Sequence, residues 1–166
     1  MNAAVAALLE RTDATHVVRE FEVPPGELNL AADSWTAAGA VVRNPDGEVA
    51  FVETNWSEGW VLPGGGVEAD ESFADAARRE VREETGLDCE IRRAGRVEEQ
   101  VFRAGETEVR GWFVAFAAST DQTEFGDDLG EHDDEIERVA WFPGPPADVA
   151  EFVDADALLR DCRLDG

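Results

Sequence analysis

Lysine and tyrosine are absent from this 166-residue chain, so all 14 of its basic residues are arginine, set against 38 Asp and Glu for a formal net charge of -24. A surface this acidic repels phosphate backbones and anionic lipid, which argues against sequence-independent binding of nucleic acid or a membrane surface. A small anionic substrate would need a metal to bridge it. No run approaches the roughly 20 apolar residues that cross a bilayer. The apolar start Met1–Leu9 has no positive flank and meets Glu10 and Asp13, so a signal peptide is not expected and the chain reads as soluble and cytoplasmic. Cys89 and Cys162 are far apart and lack neighbouring ligand residues, which favours reduced thiols over a disulfide or a redox pair.

What is present suffices for a folded protein. With 43% hydrophobic residues the acidity need not mean disorder. The length suits one domain over 1–166, with 1–33 as an N-terminal extension or first helix and strand and 34–160 as core. Acid excess without lysine resembles the proteins of salt-in halophilic archaea, where molar salt screens self-repulsion. A monomer or a homodimer is expected.

Alternation predicts strands at His16–Val23, Trp35–Arg43 and Glu48–Glu53, the last two joined by the turn Asn44-Pro45-Asp46-Gly47. A short strand at Trp60–Leu62 precedes Pro63-Gly64-Gly65-Gly66. A helical pattern follows from Ser72 to Thr85 and stops at Gly86. Two long strands, Leu87–Arg103 and Glu106–Ala118, supply sheet core, and the acid-dominated stretch from Asp121 to Glu137 reads as a loop. A strand at Arg138–Phe142 and a helix from Ala147 to about Arg160 complete an α/β sandwich with a mixed sheet, in which one helix lies between strands and another ends the chain.

The chemistry is concentrated in one stretch. Gly65 is followed after five residues by Glu71, and after seven more by Arg79-Glu80-Val81-Arg82-Glu83-Glu84-Thr85-Gly86-Leu87. Glu80 and Glu84 stand four apart and share a helix face, with Glu83 beside them. Like charges so placed repel, so the arrangement is costly unless a cation sits among them. Hard oxygen donors select Mg²⁺ or Mn²⁺. Such an ion suits a diphosphate, because it offsets phosphate charge and lowers the pKa of a bound water. A carbonyl of Gly64 or Gly65 is a further candidate ligand. A very acidic chain shows glutamate pairs by composition alone, and Glu83-Glu84 in isolation would carry nothing. The fixed spacing of Gly65, Arg79, Val81 and Gly86-Leu87 is what composition does not explain.

That stretch resembles the Nudix box with every fixed position filled, and the likeness extends loosely to Trp60–Gly66 and Trp141-Phe142. The resemblance implies an α/β/α sandwich, and a pyrophosphohydrolase acting on phosphoric anhydrides. It implies Glu80, Glu83, Arg79 and Glu71 as the catalytic set, with Arg79 paired to Glu71 to hold loop and helix together. It also implies Glu80, Glu83, Glu84 and Gly65 as the metal site, and leaves base and ligand open between Glu80 and Glu83. Many relatives recruit a further glutamate from a distant loop. Glu131 and Glu135 are the candidates, against the reading of 121–137 as a solvated acidic loop.

Outside the box the signals thin out. His16 and His132 are lone histidines, more often structural than functional. The five tryptophans read mainly as core or rim, although Trp56 or Phe102 could flank a nucleobase. Arg43, Arg103 and Arg110 are candidates for phosphate contact, or else relieve surface charge. The chain lacks the proline that often follows the box in ADP-ribose enzymes and the tyrosine common in dinucleoside polyphosphate enzymes. By elimination the expected substrate is a nucleoside triphosphate or related nucleotide. ADP-ribose or another nucleotide sugar is the alternative, and a non-catalytic nucleotide sensor the third reading.

Overall fold

The computed structural model describes residues 2–24, 26, 34–55, 57–127, 129 and 136–164. Among these the elements run α1 (Ala3–Arg11), β1 (Thr15–Glu22), β2 (Ser34–Arg43), β3 (Val49–Thr54), β4 (Gly64–Gly66), α2 (Phe73–Thr85), β5 (Glu90–Ala104), β6 (Thr107–Ser119), β7 (Ile136–Phe142) and α3 (Ala155–Asp161). The strands form one mixed sheet in the order β1-β5-β6-β2-β3-β7, with β4 added against β2. β1 with β5 and β2 with β6 are parallel, and the remaining pairs are antiparallel.

Period-two alternation sorts the core onto the two sheet faces. From β6, Trp112, Val114, Phe116 and Ala118 join Ala76, Ala77 and Val81 of α2 and Val5 and Leu8 of α1. The intervening Ala115 and Ala117 pack instead with Ala155, Leu158 and Cys162 at the α3 end. This is the α/β/α layering expected of the sequence.

Two expectations need correction. Trp60–Leu62 forms no strand of its own: Val61 bridges Val52, and Trp60 bridges Val149. The C-terminal helix is limited to Ala155–Asp161, because the chain before it is used as backbone partner, with Trp60 N–H donating to Asp148 O and Ala150 N–H to Trp60 O. Asp154 then caps the helix by accepting from the Ala157 N–H at 3.1 Å.

Candidate active site

Helix α2 is delimited at both ends by its own residues. The Ser72 hydroxyl accepts from the Asp75 N–H at 3.0 Å, and Gly86 closes the other end at φ 75°, its N–H donating to Arg82 O. Ala76, Ala77 and Val81 are buried against the sheet, which fixes the rotation of the helix and sends the glutamates toward β4.

β4 is stitched to β2 in antiparallel register, with Ala37, Ala38 and Gly39 opposite Gly66, Gly65 and Gly64. The loop and the helix are joined by Arg79. Its Nε and Nη2 donate to the two Glu71 carboxylate oxygens at 2.8 and 2.9 Å, Nη2 also reaches Gly66 O at 3.0 Å, and Nη1 reaches Glu80 at 2.9 Å and Glu83 at 3.3 Å. The paired hydrogen bonds from Arg79 hold the Glu71 carboxyl well below its ordinary 4.5, at about 2. The same bonds to Glu71, followed by those to Glu80, raise the guanidinium.

Glu84 is 4% exposed and accepts from the Gly64 N–H at 2.7 Å. A β-carbon at Gly65 would lie 2.6 Å from the Glu80 carboxyl carbon, so only glycine lets that carboxylate rest against the loop. The donors fit a hard divalent cation by type, with three carboxylates on one helix face beside backbone carbonyls. Among the described residues no three His, Cys, Asp or Glu side chains already converge as a cage. Glu84 is turned to Gly64, and Glu80 and Glu83 are turned to Arg79.

Beside this corner opens a cavity of about 420 Å³ whose wall includes Gly64, Gly65 and Glu84. Trp35, Phe102, Phe113 and Phe152 give it an aromatic lining, and Glu98 and Gln100 of β5 give it a polar side. Gly111 makes room for this wall, since the Trp35 indole lies where a β-carbon at position 111 would stand.

Of the residues singled out in the sequence, the structure brings Gly65, Glu71, Arg79, Glu80, Glu83 and Glu84 to one corner and Phe102 to the adjoining cavity. Arg43 is not a cavity residue; it donates to Cys162 O at 2.6 Å and Leu159 O at 3.1 Å, closing the end of α3. Arg103 is paired with Glu20 and Glu108, and Arg110 with Glu99 and Glu108; neither lines the cavity. His16 packs beside Trp112 with ring centroids 5.9 Å apart. Trp56, Glu131, His132 and Glu135 lie outside the described residues.

Sequence reasoning missed Glu98 and Gln100. Their only signal is the alternation Arg96, Glu98, Gln100 on β5, a pattern usually read as a solvated face.

The NUDIX domain family model matches residues 33–158, which contain both the corner and the cavity. The chain belongs to the Nudix family. It is 35% identical over 134 residues to the 8-oxo-dGDP phosphatase NUDT18 of Danio rerio, a match covering 74% of this chain and 38% of that relative. The chain therefore spans well under half that protein's length. Among solved structures, a NUDIX hydrolase from Nitrosomonas europaea superposes with a TM-score of 0.58 at 23% identity, covering 76% of this chain and 68% of that one. A MutT NUDIX hydrolase from Burkholderia pseudomallei reaches 0.60 at 19% identity, covering 78% and 98%. These two likenesses concern the Nudix fold. Among the described residues no helix is long and apolar enough to cross a membrane.

Proposed function

We propose that this Nudix chain is a Mg²⁺- or Mn²⁺-dependent hydrolase that cuts a phosphoric anhydride in a nucleoside triphosphate or related nucleotide. One observation carries the reading: Gly64, Gly65 and Glu84 belong both to the glutamate corner and to the wall of the aromatic cavity. A planar base in the cavity would place its phosphates beside the carboxylates. The Danio rerio relative is named as an 8-oxo-dGDP phosphatase, and a nucleoside diphosphate is in keeping with this substrate class.

Glu80, Glu83, Glu84 and a carbonyl of Gly64 or Gly65 would hold the cation. Bound there, it would offset phosphate charge and supply an acidified water. Arg79 and Glu71 act by position, fixing the glycine loop against the helix so that the carboxylates stay aimed. The apolar wall excludes bulk water from one side of the site, which strengthens every charge contact within it. Glu131 or Glu135 would add a further ligand or base. The acid excess and the absence of lysine support a protein adapted to fold in concentrated salt.

The test is incubation with Mg²⁺ in molar KCl against nucleoside triphosphates, ADP-ribose and dinucleoside polyphosphates, following release of phosphate or pyrophosphate. Mg²⁺-dependent turnover of a nucleoside triphosphate is expected. No turnover of any compound would overturn the hydrolase reading, and turnover of ADP-ribose alone would reassign the substrate.

A further inference from the structure

The cavity is braced by a strand that lies outside the family match. That match begins at residue 33, whereas β1 covers Thr15–Glu22. β1 pairs in parallel with β5, so that Arg19 stands opposite Gln100 and Phe21 opposite Phe102, both of them cavity residues. Neither Arg19 nor Phe21 lines the cavity, yet their contacts reach three parts of its wall. Arg19 Nη1 donates to Phe152 O at 2.6 Å and to Glu98 Oε1 at 3.2 Å, and its guanidinium lies 4.9 Å from the centre of the Phe21 ring. Phe21 in turn stacks on Phe102 with centroids 4.9 Å apart, and Phe102 leans on Trp35 at 6.4 Å.

The stretch that covers the sheet contributes Phe152, Val153 and Leu158 to the cavity. Two arginines pin it at both ends, and they share one carboxylate. Glu98, only 2% exposed, accepts from Arg19 on Oε1 and from Arg96 Nε on Oε2 at 2.7 Å. Arg19 holds the stretch at Phe152, and Arg96 holds it at Asp161 with a bond of 2.8 Å. The two clasps differ in what their loss would leave behind. Arg96 is 4% exposed and sits between Glu98 and Asp161, so its removal would strand a buried carboxylate and threaten the fold. Arg19 is 22% exposed, and without it Glu98 keeps its bonds from Arg96 and from Gln100 Nε2. The Arg19 clasp can therefore be opened in a folded protein.

We propose that Arg19 is a positioning residue for the base of the nucleotide: it fixes how the Phe152 stretch stands over the aromatic residues of the sheet, and so shapes the space that a flat ring enters. Aromatic walls hold a ring best when they are already in place before it binds. One guanidinium serves both sides, Phe152 through a hydrogen bond and Phe102 through the intervening Phe21. None of these contacts reaches the glutamate corner, so the loss of Arg19 should weaken the hold on the base and spare the cutting of the anhydride. β1 is thereby part of substrate binding. The inference rests on the nucleotide hydrolase reading and adds a residue that shapes its base site from outside the family match.

The experiment measures steady-state kinetics of the wild type, Arg19→Gln and Arg19→Lys with the best cleaved of ATP, GTP, CTP and UTP, and with base-free tripolyphosphate. Arg19→Gln should raise KM for the nucleotide about tenfold with kcat held, and leave both constants for tripolyphosphate unchanged. Arg19→Lys should recover most of that loss, because its ammonium can still donate to both oxygens. Wild-type KM in a folded Arg19→Gln overturns the proposal, as does a loss that falls on kcat or falls equally on tripolyphosphate. These results leave nucleotide hydrolysis standing. If the wild type cleaves no nucleotide, the hydrolase reading has failed separately. Arg19 is then judged by amide hydrogen exchange. The Val153 and Leu158 N–H groups, bonded to Ala150 O and Asp154 O, should exchange faster in Arg19→Gln while the Gly86 N–H at the end of α2 is unaffected. Unchanged exchange at Val153 and Leu158 overturns the proposal.

Discussion

Gly65 and Glu80 are in contact in a way that leaves no space for a side chain on the glycine, since a β-carbon would meet the carboxyl carbon at 2.6 Å. The obstructing group is the end of a flexible side chain, so Gly65→Ala should displace Glu80 and leave the fold intact. Turnover should fall about 10- to 100-fold, the usual cost of misplacing a group at a metal site. The melting temperature should stay within roughly 2–4 °C, the shift that about 1 kcal/mol gives a domain of this size. Wild-type turnover in a folded Gly65→Ala would remove Glu80 from the site.

Glu84 is both buried and bonded to the Gly64 N–H, and Glu84→Gln tests the two roles together. The amide oxygen can still accept that hydrogen bond, so the variant should fold. The lost charge should lower turnover by about a hundredfold, with a higher Mg²⁺ requirement. Unchanged activity at unchanged Mg²⁺ would place the cation elsewhere.

The Glu71–Arg79 pair has a defined pH signature. The Glu71 carboxyl titrates at about 2 in the folded protein against an ordinary 4.5. Its contribution to stability is therefore complete above 4.5 and is lost as pH falls through 2. Thermal melts of wild type and Glu71→Gln should differ by a constant few degrees from pH 8 to pH 5. They should converge as the pH drops further, and a gap that persists on acidification would assign the stability to another contact.

Charge of -24 on 166 residues should make stability depend on salt. The screening length is about 10 Å at 0.1 M and 3 Å at 1 M, so melting temperature should climb steeply with KCl across that interval. A melting temperature indifferent to KCl would contradict adaptation to concentrated salt.

Burial pushes the Cys89 thiol up to about 11 and the Cys162 thiol to about 12. Both should resist iodoacetamide at pH 8 in the native protein, Cys89 reacting on the order of a hundredfold slower than in the unfolded chain. Mass spectrometry of native and denatured samples reads this directly, and rapid native labelling of Cys162 would show that α3 opens.

Helix α2, its caps at Ser72 and Gly86, and the shared face of its glutamates were determined by sequence alone, because they depend on contacts within a few residues along one helix. The Glu71–Arg79 bond was expected through the family resemblance, and the structure places it where loop and helix meet. Arg43, Glu98 and Gln100 were decided elsewhere. Alternating polar residues on a strand indicate which of them share a face, but not what will cover that face. Here α3 and the stretch leading into it fold over β5, tied by bonds such as Arg19 to Phe152, 133 residues apart. That long-range closure turns a polar stripe into the oriented floor of a cavity, and draws Arg43 away to the end of α3.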